Sequence, residues 1–253
     1  MPLDLPITLF LGTAALAFFA GVVKGTTGFA LPMIMISGIG SLLPPEQALA
    51  GLILPALVTN LWQSIRQGLG AAWASAKLHW RYLAAVLICL SISAQFVTRL
   101  PAQALFLILG IPVTTFAVVQ LLGWRPRIQP HQRRQTELGV GAFAGTLGGL
   151  SGVWGPPTVL YLTALEVPKV EHVRVQGVVY AAGAIMLTLA HINSGVLNAE
   201  GFAFSAMLLP PAVAGLAFGF AVQDRLDQNR FRWAVLVVLT LAGLNLVRRG
   251  LFS

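Results

Sequence analysis

Lys24 stands between apolar runs in the segment FAGVVKGTTGFALP, residues 19–32, with no acidic residue close to it in sequence. An ammonium at membrane depth is costly, so by default it marks a functional site that faces a wet cavity. The competing reading is a lysine that snorkels from a helix end to the membrane surface. Thr26 and Thr27 add hydroxyls beside it, and Gly21, Gly25 and Gly28 allow close backbone approach and positive φ. The pattern returns at residues 143–156 as FAGTLGGLSGVWGP. At an offset of 124 the copies agree at Phe19/Phe143, Ala20/Ala144, Gly21/Gly145, Gly25/Gly149, Gly28/Gly152 and Pro32/Pro156, and Thr27 falls on Ser151. Duplicated hydrophobic segments interrupted by Gly and Pro point to the binding site of a transporter built from internal repeats.

A broken helix leaves free N–H groups at the start of the next half-helix, and these, with the helix dipole, favour an anion. Thr26, Thr27 and Ser151 are expected at those starts, as hydroxyl donors of an oxyanion cradle around Gly28, Gly149 and Gly152, with Lys24 supplying charge. The bland alternatives are helix packing for the glycines and local caps for the hydroxyls. Polar residues on the third segment of each half join the candidates. Asn60 shares a helix face with Ser64, next to Gln63, and Gln176 shares one with Tyr180. Their bland reading is interhelical hydrogen bonding. Trp154, inside the second motif, is expected to wall the cavity. Trp62, Trp124, Trp154 and Tyr161 include candidate interface anchors. His191 could carry a proton, but its place near a predicted outer end favours a solvated helix-end histidine.

Residues 149–152 also read G-x-S-G, and a Ser151/His191 pair is the chemistry of an intramembrane serine protease. The first copy carries Thr27 at the same position, so the motif belongs to the repeat and not to one catalytic centre. An anion channel is the other alternative. There is no metal-ligand cluster, no phosphate loop and no dinucleotide fingerprint, so neither metal nor cofactor is expected.

The elements that must hold these residues are membrane helices. Hydrophobic residues make up 57% of the 253 and charged residues 9%, with a mean hydropathy of +0.80. A soluble domain is about 25% charged, and this chain cannot cover a soluble surface. The net charge of +8 falls at the ends of apolar stretches, which points to topology signals and anionic lipid rather than nucleic acid. Cys89, the single cysteine, excludes a disulfide framework and reads as a packing residue. MPLDLPITLF has no basic start and reads as the beginning of a membrane helix, not a cleaved signal peptide.

Ten apolar segments follow, at 5–23, 26–43, 46–66, 80–98 and 102–123, then 137–150, 153–166, 172–192, 201–222 and 231–248. The first two of each half are short and are expected either to cross or to form a re-entrant hairpin. Each half then has an odd number of crossings, so the repeats are inverted. Pro44 matches Pro168 at the same offset of 124, and Ile65 and Gly68 match Ile192 and Gly195 at 127. One side carries Arg66, Lys77, Arg81, Arg125, Arg127, Arg133, Arg134, Lys169, Arg174, Arg225, Arg230 and Arg232; the other has Arg99, Arg248 and Arg249. The first is therefore cytoplasmic and both termini face outward. The expected organisation is a first transmembrane repeat at 1–124, a cytoplasmic linker at 125–135 and a second repeat at 136–253.

The run GTLGGLSGVWGPPTVLYL at 145–162, with GVVKGTTGFALPMI at 21–34, resembles the TauE/SafE family of membrane permeases, also called the sulfite exporter or sulfonate uptake permease family. The second copy carries the resemblance through Gly148, Gly149, Ser151, Gly152, Gly155, Pro156 and Pro157. The first copy has Phe29 and Ala30 where the family usually continues with glycines. The resemblance covers almost the whole chain. It implies transport of small anions such as sulfite, thiosulfate, sulfonates or carboxylates. The expected protein is an all-α polytopic carrier of the inner (plasma) membrane, two inverted repeats working by alternating access, with membrane lipids, a small anion, protons as a coupling ion and a second copy in a homodimer as its expected partners.

Overall fold

In the computed structural model, which describes residues 5–66, 68–123, 128–167, 169–222 and 228–252, α1 (Ile7–Thr27) ends at Gly28 and α7 (Arg133–Ser151) ends at Gly152. Both glycines take left-handed backbone, φ 81° and 70°, and their N–H groups close on Lys24 and Gly148 carbonyls at 2.8 and 2.7 Å. Glycine adopts that conformation without a Cβ penalty. The chain then restarts as two short helices, α2 (Leu31–Gly40) and α8 (Gly155–Ala164), with Pro32 and Pro156 in their first turns. The two copies thus fold alike, element for element.

Ala30 departs from this pattern. It holds φ 78° at the N-cap of α2, a region that non-glycine residues visit at a cost. Ala30→Gly is expected to raise stability by about 1 kcal/mol, read as a higher melting temperature in detergent. An unchanged or lower value would contradict a left-handed Ala30.

The remaining helices are α3 (Pro45–Ile65), α4 (Leu69–Leu78), α5 (Trp80–Ala94), α6 (Ala102–Leu121), α9 (Lys169–Ser194), α10 (Ala199–Val222) and α11 (Gln228–Phe252), and no strand occurs among the described residues. Among the described residues, seven stretches are long and apolar enough to span a membrane: α1, α3, Trp80–Arg99, α6, Arg174–Ser194, α10 and Val235–Phe252. The protein is an all-helical, multi-pass membrane protein. The first apolar segment runs four residues beyond its expected end, to Thr27. α4 had no separate counterpart among the expected segments, and α7 starts at Arg133, inside the polar stretch between halves. Trp124, Arg125, Arg127, Pro168 and Arg225 lie outside the described residues.

Glycines set the closest helix crossings. A Cβ on Gly21 would strike the Ala212 carbonyl, and one on Gly25 would meet Gly219 Cα at 2.8 Å. At the repeat-related positions, Gly145 faces the Val86 carbonyl and Gly149 faces the Leu90 carbonyl. So α1 runs parallel to α10, and α7 runs parallel to α5. Each half's opening helix packs on a late helix of the other half. α3 and α9 meet with Gly177 against Gln63 and Ser64. α6 and α11 are antiparallel, Gly110 facing Gly243 and Val247 while Gly250 faces Leu107. These directions are consistent with inverted repeats. Gly68 and Gly195, the other matched pair, also share positive φ at 90° and 82°.

Candidate functional site

Lys24 lies in the last turn of α1, three residues before its end, and is 1% exposed. Its position is fixed by the α1–α10 contact at Gly25, which turns the lysine's face away from α10. The ammonium donates to Thr59 Oγ1 at 3.1 Å and to Asn60 Oδ1, both on α3. Both partners are neutral, and among the described residues no carboxylate pairs with Lys24. Thr59 in turn donates to the Pro55 carbonyl at 2.6 Å, the carbonyl of a proline-interrupted helix turn. The snorkelling alternative is therefore not what the structure holds. A buried ammonium with neutral partners carries a large desolvation cost.

Lys24 and Asn60 line a small cavity of about 20 Å3, enough for a water-sized occupant. The first break supplies Phe29 and Ala30, with Pro32 and Met33 from α2. The second break supplies Gly152, Val153, Trp154 and Gly155, and α9 supplies Tyr180. The two duplicated motifs thus meet at one place, across the α3–α9 seam. Trp154 is 2% exposed and its buried Nε1–H has no hydrogen-bond partner among the described residues. The Tyr180 hydroxyl reaches the Gly155 carbonyl at 3.4 Å. The helix starts offer main-chain donors at Leu31, Met33 and Gly155. Pro32, Pro156 and Pro157 have no N–H, while Ile34 and Thr158 bond back to Ala30 and Trp154.

Several expected site residues sit elsewhere or do other work. Thr26, Thr27 and Ser151 lie at the ends of α1 and α7, not at the starts of the next helices, because each break comes after the hydroxyls. Their hydroxyls are used locally. Thr26 donates to the Val22 and Val23 carbonyls, Thr27 to Val23 at 2.7 Å and Ser151 to Leu147 at 2.6 Å. Ser151 also accepts from the Val153 N–H, which stiffens the second break. Gly149 packs against α5 and does not line the cavity. Gly28 lies beside the cavity: its carbonyl accepts from Gln63 Nε2 at 3.0 Å, and Gln176 is near it. Gln176 is 4% exposed and outside the lining.

His191 is fully buried, not a solvated helix-end residue, because α9 continues to Ser194 and folds it inward. Its Nδ1 meets Ser194 Oγ at 3.0 Å, and no hydrogen bond joins it to Ser151. Tyr161 is 2% exposed and sits inside the protein, not at an interface, whereas Trp62 is 40% exposed with its ring against Phe220. Thr59 and Met33 were not singled out by the sequence, and Ala30 only as a departure from the family's glycines. The i, i+1 neighbour of Asn60 was the available signal for Thr59. Among the described residues no group of three or more His, Cys, Asp or Glu side chains is placed to hold a metal.

The family model described as sulfite exporter TauE/SafE matches residues 13–246, nearly the whole chain. No curated protein and no solved structure matches it.

Proposed function

The chain belongs to the TauE/SafE sulfite exporter family, a family of membrane transporters, and on that footing we propose that it carries small organosulfur or carboxylate anions through the site at Lys24. The observation that supports this most is the buried Lys24 ammonium, bonded to neutral groups only, in the wall of a cavity between two helix breaks. An anion entering there supplies the missing countercharge. Asn60 and Thr59 aim the ammonium. The N–H groups of Leu31, Met33 and Gly155, with Trp154 Nε1, are the donors for sulfonate, sulfite, thiosulfate or carboxylate oxygens.

Loading and release follow from rocking one half against the other, which opens the seam to one side at a time. With the arginine-rich side cytoplasmic, as in a bacterial inner membrane, an inside-negative potential favours anion export by about 2.3 kcal/mol per charge per 100 mV. The protein acts as a carrier and not an enzyme. Ser151→Ala tests this against the protease reading. A carrier retains most of its flux, because the Ser151 hydroxyl only braces the second break, whereas a protease loses all cleavage. Saturable exchange separates a carrier from an anion channel. Membrane lipids surround the helices, and a homodimer is a further expectation, checked by mass in nanodiscs.

A further inference from the structure

Away from the cavity, toward the arginine-rich side, lies a buried polar cluster with no counterpart in the other half. Glu137 on α7 is 2% exposed and accepts from Arg133 Nε at 2.8 Å, with Arg81 at 3.7 Å. The Tyr161 hydroxyl, on α8, donates to Glu137 Oε1 at 3.3 Å. It therefore accepts from His79 Nδ1, 3.0 Å away at the junction of α4 and α5. That bond sets the His79 tautomer as Nδ1–H and leaves Nε2 a bare acceptor, which is buried without a partner among the described residues. At the offset of 124, Glu137 corresponds to Thr13, Thr158 to Ile34 and Tyr161 to Ser37, so the repeat does not require these groups. Packing alone does not explain a carboxylate, a phenol and an imidazole in series.

The cluster is wired to the cavity through α8. Trp154, a cavity wall, caps that helix, and its carbonyl accepts from Thr158 Oγ1 at 2.8 Å. Thr158 bonds the Tyr82 hydroxyl at 2.8 Å, and the Tyr82 ring stacks on Tyr161 at 4.3 Å and 2°. A shift of α8 that opens the cavity disturbs the Tyr161 bonds as well.

Resting on the carrier reading above, we propose that His79, Tyr161 and Glu137 form a proton site that couples anion movement to a proton gradient. When rocking admits water to the buried His79 Nε2, a hydronium ion gives up its proton there, leaving water and an imidazolium. Its Nδ1 proton passes to Tyr161 Oη as that hydroxyl's own proton passes to Glu137 Oε1. His79 and Tyr161 end neutral, Glu137 ends as the acid, and one proton has moved toward Arg81 and Arg133, whose side chains are 43% and 41% exposed. Protonating Glu137 cancels its attraction to Arg81 on α5 and Arg133 on α7, and it reverses the hydrogen bond that ties Glu137 to Tyr161 on α8. The charged and titratable groups facing the relay are Arg81 and Tyr82 on α5, Arg133 on α7 and Glu171 on α9. Burial foremost, then Arg133, holds the His79 imidazole below its usual range, against Glu137 and Glu171. The ring therefore rests neutral near pH 7, ready to pass a proton and not to keep it.

The test uses the full-length protein in proteoliposomes loaded with labelled sulfite, a sulfonate or a small dicarboxylate. It compares anion–anion counterflow, with no pH gradient, and net flux driven by an imposed one, for native protein, Tyr161→Phe and Glu137→Gln. Tyr161→Phe keeps the ring stack and loses only the hydroxyl. Both variants are expected to keep counterflow and to lose gradient-driven flux about fivefold or more. Gradient-driven flux that survives in both variants overturns the proposal, as does native counterflow that no pH gradient accelerates. Loss of counterflow together with gradient-driven flux, in protein with native melting behaviour, also overturns it and makes the cluster structural. Absence of counterflow in native protein instead removes the carrier reading itself, and the proton site with it.

Discussion

Lys24→Met is expected to lower anion counterflow roughly 10- to 100-fold, the loss of one charge-assisted hydrogen bond worth about 1.5–3 kcal/mol. The same protein is expected to melt at or above the native temperature. Methionine keeps the length and apolar stem of lysine and removes a buried charge whose partners, Thr59 and Asn60, are neutral. A lysine present for structure behaves oppositely: its bonds to Thr59 and Asn60 then outweigh its desolvation cost, and losing them lowers the melting temperature. Flux and stability thus move in different directions for a site residue and together for a structural one. Asn60→Leu distinguishes the aiming role: the ammonium stays, loses its main acceptor, and flux falls less than in Lys24→Met.

Gly145→Val is expected to cost about 3 kcal/mol of stability, at the upper end for overpacked cores, because its Cβ would collide with the Val86 carbonyl and meet Leu90 N at 3.0 Å. Both obstacles are main chain and cannot turn aside. Gly21→Val is expected to match it, since its Cβ would meet the Ala212 carbonyl and Leu216 N at 2.8 Å. Gly139→Ala, with nothing within 4 Å of the added carbon, serves as the neutral control. Thermal unfolding in detergent reads all three. Equal stability of the valine variants and the control would mean that the α5–α7 and α1–α10 contacts are looser than described.

The paired effect of Gly21 and Gly145 also shows which parts of the fold were legible in the sequence. The offset of 124 places α1 on α7 and α2 on α8, and it matches Gly28 with Gly152 at the two left-handed caps. Apolar runs of about 20 residues sufficed to mark the long helices. α4 escaped because LGAAWASAKL is short and not sharply amphipathic, so it was left between the expected segments 46–66 and 80–98. The meeting of Lys24, Asn60, Trp154 and Tyr180 was legible as residue types, since each belongs to a broken motif or to a polar position on a third segment. The direction of the hydroxyls was not. Thr26, Thr27 and Ser151 sit one or two residues before the left-handed glycine, and that small displacement turns them from donors at a helix start into local caps at a helix end. Gly149 points at α5 because it lies one helical turn from Gly145, on the packing face. His79, Glu137 and Tyr161 come from three separate helix regions, and no local pattern joins residues so far apart in the chain.

Counterflow by the native protein in sealed proteoliposomes tests the central claim most directly. Labelled sulfite, a sulfonate and a small dicarboxylate are each offered against the same unlabelled anion inside. The account predicts saturable exchange of at least one of them, inhibited by its unlabelled analogues. Folded protein in sealed vesicles that exchanges none of the three would contradict it.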